Sequence, residues 1–213
     1  MLRNEIIIPL VRGKKVLDCG GVDHWAFQFK QDRGDWLHAE VAAIASSCLG
    51  IDILEEHVDK INDMGKYRFE AHNVESLPYT EEYDVVIAGE LAEHLYNLGL
   101  FLDSAWRSLV PDGLLIITTP NAYALSPWLR AALTGKEQCH PEHTCYLSPQ
   151  TLSYVVSRHG FAVRAVHLAE RPAHNRIIAG LRSLIGRVRP ILSEQLILVA
   201  EKVGSQNKYD GKW

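Results

Sequence analysis

The stretch Lys14-Lys15-Val16-Leu17-Asp18-Cys19-Gly20-Gly21 constrains this chain more than any other. A charged lead-in precedes a short apolar run, which stops at an acid and two glycines. Such a run, with helix-like sequence downstream, reads as a buried strand whose C-terminal end enters a tight backbone turn that a ligand can approach closely. The glycine pair alone is weak evidence, because any strand-to-helix turn can use glycine to reach positive φ. Its weight comes from three further strand ends of the same kind. Asp52 lies within the run Cys48-Leu49-Gly50-Ile51-Asp52-Ile53, His72-Asn73-Val74-Glu75 follows Tyr67–Ala71, and Glu90 follows Asp84–Gly89. Four strand ends thus carry polar groups suited to one nucleoside.

At 213 residues the chain suits one α/β domain, expected over 1–203, with a loose polar tail over 204–213. A formal charge of −4 and a pI near 6.2 give no global electrostatic case for nucleic acid. No apolar stretch has the length and low charge needed to span a bilayer, and the N-terminus lacks the long apolar region of a signal peptide. The four cysteines, Cys19, Cys48, Cys139 and Cys145, lack CxxC spacing, so a reducing cytoplasm is the expected location.

Strand-like and helix-like segments alternate almost throughout, which implies a mainly parallel sheet with helices on both faces. Helices are expected over Trp36–Ala45, over Glu55–Met64, and along a stripe from Leu98 to Leu109 that Pro111-Asp112-Gly113 ends. A strand follows over Leu114–Thr119. Ser148-Pro149 caps a helix over Gln150–His159, and Phe161–Leu168 and Leu196–Val203 are the last strands. Asp52 comes well past the roughly 20 residues at which a dinucleotide fold places its ribose acid. An insertion is therefore expected after the glycine turn, with His24-Trp25-Ala26-Phe27-Gln28-Phe29-Lys30 as the candidate.

In order, Val16–Gly21, Gly50-Ile51-Asp52, Asn73–Tyr79, Tyr83–Glu90, Glu93-His94-Leu95 and Leu109–Gly113 resemble the motifs of the class I S-adenosylmethionine-dependent methyltransferases. The likeness runs from about Val16 to Val203. It departs at the glycine loop, where the family usually shows acid-x-Gly-x-Gly-x-Gly and this chain has Asp18-Cys19-Gly20-Gly21-Val22-Asp23. The resemblance implies a three-layer Rossmann-like fold, with a seven-stranded, mostly parallel sheet and one antiparallel late strand. It also implies S-adenosyl-L-methionine as cofactor. Gly20 and Gly21 would pass under its methionine part with Asp18 nearby, Asp52 would accept from both ribose hydroxyls, and Ile53 would lie against the adenine. Asn73 and Val74 would meet the adenine edge, and Glu90 and Leu91 would close the site.

Several residues have a second reading. Asp52 also fits a helix N-cap, although Glu55 and Glu56 already serve that dipole. Asn73 fits a turn. His94 is either a general base, since imidazole titrates near neutrality, or a structural histidine at a helix start. Cys139-His140-Pro141-Glu142-His143-Thr144-Cys145 lacks the separated ligand pairs of structural zinc sites, so no metal is expected there. His140 and His143, with Asn121 and Tyr123, are read instead as acceptor-facing. The basic Arg171–Pro190 segment is either a helix with a solvated face or a docking surface for an anionic partner. The His24–Lys30 aromatics form either a lid or a core turn.

The function expected is methyl transfer to an oxygen or nitrogen of a small-molecule, lipid or glycan acceptor. Two alternatives stand beside it: a cofactor-binding module without turnover, and a nicotinamide-dependent oxidoreductase, which the absent GxGxxG disfavours.

Overall fold

A computed structural model describes residues 2–22, 36–137, 139–171, 180, 186 and 188–204. The His24–Lys30 insertion, most of Arg171–Pro190 and the tail beyond residue 204 lie outside the described residues.

In chain order the elements are α1 (Arg3–Val11), β1 (Lys15–Cys19), α2 (Leu37–Ala42), β2 (Ser47–Asp52), α3 (Glu55–Asp63), β3 (Phe69–Ala71) and β4 (Tyr83–Gly89). These are followed by α4 (Leu98–Ser108), β5 (Leu109–Pro120), α5 (Leu125–Thr134), α6 (Pro149–Arg158), β6 (Phe161–Ala169) and β7 (Gln195–Lys202). The strands form a seven-stranded sheet in the order β3-β2-β1-β4-β5-β7-β6. The first five run parallel, and β7 lies antiparallel to both β5 and β6, as expected of the late strand.

Period-two alternation divides the strand side chains between two cores. Leu17, Val86, Ala88, Leu115 and Ile117 face Phe101 and Leu102 of α4 and Leu152 and Val156 of α6. Val16, Val85, Ile87 and Ile116 face Ile6, Ile7 and Val11 of α1 and Leu37 and Val41 of α2. Strands covered on both faces are apolar at most positions, which is why Val16-Leu17 of β1 and Val85–Ala88 of β4 read as apolar runs, with the buried Asp18 of β1 as an exception.

Three features depart from the sequence expectation. The helix begun at Leu98 ends at Ser108, and Pro111-Asp112-Gly113 lies inside β5, which starts at Leu109. Asp112 reaches a φ of 61° there, and the β4–β5 register shifts between Tyr83 and Val85, so the segment is an irregularity at the start of a strand. α1 carries Pro9 internally, and α5 buries no side chain, so neither shows the usual helix signal. The other elements lie within a few residues of expectation. Ser148 caps α6 as read, its hydroxyl accepting from Thr151 N at 3.1 Å.

Gly50 is fixed by packing. A Cβ built there would stand 2.2 Å from Cε1 of the buried Phe69 ring, which lies across β2. Gly50→Ala is therefore expected to lower stability by about 1–3 kcal/mol, the usual cost of overpacking. Urea unfolding checks this, and an unchanged midpoint would contradict the packing described.

Candidate functional site

Strand order reverses at β1, whose neighbours β2 and β4 carry the chain in opposite directions across the sheet. A crevice opens outside the carboxyl ends of strands at such a point. The candidate residues of the glycine turn and of Asp52, Ile53, Asn73, Val74, Glu90 and Leu91 all lie at or just beyond these ends.

Gly20 takes a φ of 74°, and its N–H donates to Ile51 O at 2.7 Å. A Cβ at this position would come within 3.0 Å of Leu91 Cδ1. Positive φ and close approach together require glycine. Asp18 supports the turn from beneath: it is buried, and its Oδ2 lies 2.9 Å from Nδ1 of the equally buried His38. Trp36 Nε1–H donates to Gly21 O at 2.8 Å and adds a second brace. Sequence reading took His38 as one more residue of an amphipathic helix. The available signal was its place between Leu37 and Val41, since a polar side chain on a buried face needs a partner.

Asp52 fastens the turn from the other side. Its Oδ2 accepts from Val22 N at 3.3 Å and its Oδ1 from Leu54 N at 3.2 Å. Burial raises its pKa, while these backbone N–H groups act in the opposite sense. Each carboxylate oxygen has a further lone pair for a hydroxyl donor. Ile53 next to it is 68% exposed, an apolar platform at the rim. Asn73 Oδ1 accepts from Glu75 N at 2.9 Å and caps the 3-10 turn Val74–Ser76, and Val74 is buried. Glu90 has a φ of 54°, a costly conformation for a side chain of this size. Its carboxylate accepts from Gln195 Nε2 at 2.9 Å and pairs with Arg171.

On the other side of β4, the 3-10 turn Ala92–His94 carries Glu93 into the interior. Thr119 Oγ1 donates to its Oε2 at 2.8 Å, and burial pushes the carboxyl up to about 7. Sequence reading quoted Glu93 within a motif but assigned it no role. The Glu93 backbone holds the loop over residues 139–147. Thr144 N donates to Glu93 O at 2.8 Å, and Thr144 Oγ1 donates to Glu93 O at 3.1 Å and to Leu95 O at 2.8 Å.

Those bonds bring His140 and His143 against His94. Ring centroids lie 4.8 Å apart for His94–His143, 5.6 Å for His94–His140 and 5.4 Å for His140–His143. Burial, and then the neighbouring imidazoles, lower the pKa of both His94 and His143. A cleft of about 690 Å³ opens beside them, lined by Leu95, Tyr96, Glu142, His143, Leu147 and Val155 among others. Asn121 is committed elsewhere: Nδ2 donates to the Ile191 and Ser193 carbonyls, each at 2.8 Å, and Oδ1 accepts from Tyr123 N at 3.1 Å. The Tyr123 side chain is exposed.

The groups at the strand ends suit S-adenosylmethionine: a carboxylate to accept from the ribose hydroxyls, an apolar surface for the adenine, and a glycine turn with no Cβ in the way. Comparison with known proteins points the same way. The family defined as "Methyltransferase domain" matches residues 3–166. The chain is 27% identical over 173 residues to the mitochondrial ubiquinone biosynthesis O-methyltransferase of Bos taurus, covering 72% of this chain and 43% of that protein. It is 32% identical over 120 residues to the ubiquinone biosynthesis O-methyltransferase of Nitrobacter winogradskyi, covering 56% and 43%. The chain thus spans less than half the length of these relatives. Among solved structures, a SAM-dependent methyltransferase from Archaeoglobus fulgidus superposes with a TM-score of 0.61 at 21% identity, covering 94% of this chain and 91% of that one. The [4+2]-cyclase SpnF superposes at 0.58 with 18% identity, covering 94% and 81%, so the shared fold does not fix the reaction. The family match, together with the strand-end site, identifies this chain as a member of the class I S-adenosylmethionine-dependent methyltransferases.

Proposed function

We propose that the chain transfers a methyl group from S-adenosylmethionine to a hydroxyl oxygen of a small-molecule acceptor. The observation that carries this reading is the pairing of the Asp52 carboxylate with the exposed Ile53 beside the glycine turn. The names of its relatives, ubiquinone biosynthesis O-methyltransferases, favour oxygen over nitrogen and point to a phenolic acceptor class. The cofactor supplies a sulfonium-activated methyl group, and the protein supplies alignment and exclusion of water.

Asp52 would hold the ribose diol through its unused lone pairs. Gly20 and Leu91 together would fix how far the cofactor's methionine end can advance, because their contact leaves no room for a larger residue in the turn. The acceptor would enter from the histidine side, through the cleft beside His143.

Two outcomes test this reading. Asp52→Ala should weaken S-adenosylhomocysteine binding by about 1–3 kcal/mol in calorimetry, because two hydroxyls lose a charged acceptor. An unchanged dissociation constant in a folded variant would reject the site. His38→Ala should destabilise the fold by about 3 kcal/mol or more, since it leaves the buried Asp18 carboxylate without its partner. Adding Asp18→Asn should recover part of that loss in urea unfolding. A single variant as stable as the parent would remove the proposed brace.

A further inference from the structure

We propose that His94, His140 and His143 form a three-histidine site for a divalent transition-metal ion, zinc being the best match, with an open position turned toward the acceptor cleft. This inference deepens the methyl-transfer reading and rests on it for the role of the open position only. The ion site stands on its own geometry.

The three side chains each offer a ring nitrogen, and these nitrogens lie within 4.8 Å of one another. Bond lengths of 2.0–2.1 Å in a tetrahedral zinc site put ligand nitrogens about 3.3 Å apart. The rings therefore need only small rotations to close on an ion, and His140, the exposed member, has the freedom to make them. The scaffold needs no rearrangement, because Thr144 already ties the loop carrying His140 and His143 to the turn carrying His94, through its N–H to Glu93 O and its hydroxyl, which lies within reach of both Glu93 O and Leu95 O.

The outer contacts are those a ligated imidazole needs. The Glu142 backbone lies beside the His94 ring, where a carbonyl can orient it as partners orient metal-bound histidines elsewhere. His140 Nδ1 accepts from Glu142 N at 3.3 Å, a long contact. Ligation through either nitrogen of His140 ends that contact, since Nδ1 would either give its lone pair to the ion or take up the ring proton. Imidazole sets favour zinc and its neighbours over magnesium and calcium, which take oxygen ligands.

Three protein ligands plus one open position is the arrangement of catalytic rather than structural zinc. His143 lines the cleft, so an oxygen donor of an acceptor held there can reach the open position and be polarised by the ion. A ligated His94 has no free lone pair for general-base work, so on this reading the ion activates the hydroxyl.

Zinc titration of the metal-free full chain against a chromophoric chelator tests the site, with S-adenosylhomocysteine calorimetry on the same samples. One equivalent of zinc is expected to bind, with affinity falling about tenfold or more in His140→Ala and again in His140→Ala/His143→Ala. The exposure of His140 makes its variant safe for folding, and cobalt should give the visible bands of a four-coordinate site that His140→Ala abolishes. No zinc binding, or zinc affinity unchanged in the double variant, overturns the proposal. If zinc fails while S-adenosylhomocysteine binds, the methyl-transfer reading stands without the ion; if zinc binds as expected while S-adenosylhomocysteine does not, the cofactor reading fails and the ion site remains.

Discussion

The whole arrangement depends on β1 being hydrogen-bonded on both sides by parallel strands. Leu17 aligns with Leu49 on β2 and with Val86 on β4, and every residue of β1 beyond Lys15 is buried. Parallel neighbours end on the same edge of the sheet, so the glycine turn, Asp52 and Glu90 are brought together by topology, with no direct contact required among all three. Asp52 then closes the circuit by accepting from Val22, just past the turn.

Burial of polar groups gives this edge its rigidity and also its cost. Asp18 against His38 and Glu93 against Thr119 are carboxyl groups placed where water cannot solvate them, and each survives because a partner stands within 2.9 Å. Asp18 stiffens the glycine turn and Glu93 the turn that carries His94. Lys202 performs a comparable task at the opposite edge of the sheet: its Nζ donates to Leu109 O at 2.6 Å and lies 4.1 Å from the Trp106 ring centroid. Sites of this kind are expensive to build in an apolar interior, and chains place them where geometry must be held.

The sheet, its antiparallel late strand and the helices capped by conventional signals were legible in the residues, because apolar periodicity and Ser148-Pro149 act locally. The start of β5 was not. Pro111-Asp112-Gly113 reads as a turn, yet pairing with β4 carries the strand through it, a tertiary effect that local chemistry does not announce. α5 stayed hidden because it buries nothing. At the site, the strand-end positions of Asp52 and the glycines were legible in the residues, while the roles given to them came from the family resemblance. The partner of Asp18 could not, since His38 is 20 residues distant, and the meeting of His94 with His140 and His143 depends on a backbone tie from Thr144 that no spacing rule encodes.

That tie also explains why the two sides of the site hang from one short stretch. Glu90 and Leu91 leave β4 toward the glycine turn, and Ala92–His94 immediately turns back to carry the histidine loop. A change of direction this abrupt demands an unusual backbone, and Glu90 supplies it at a φ of 54°, held by its own N–H donating to Thr118 O at 2.8 Å and by Gln195 and Arg171 on its carboxylate. Glycine would adopt that conformation without strain but would bring no carboxylate to anchor the corner to β7 and to the start of the basic segment. The strain at Glu90 is thus offset by contacts that lock the exit of β4, and the distance between the glycine turn and the histidine cluster is set by five residues, Glu90 to His94, whose direction that corner fixes.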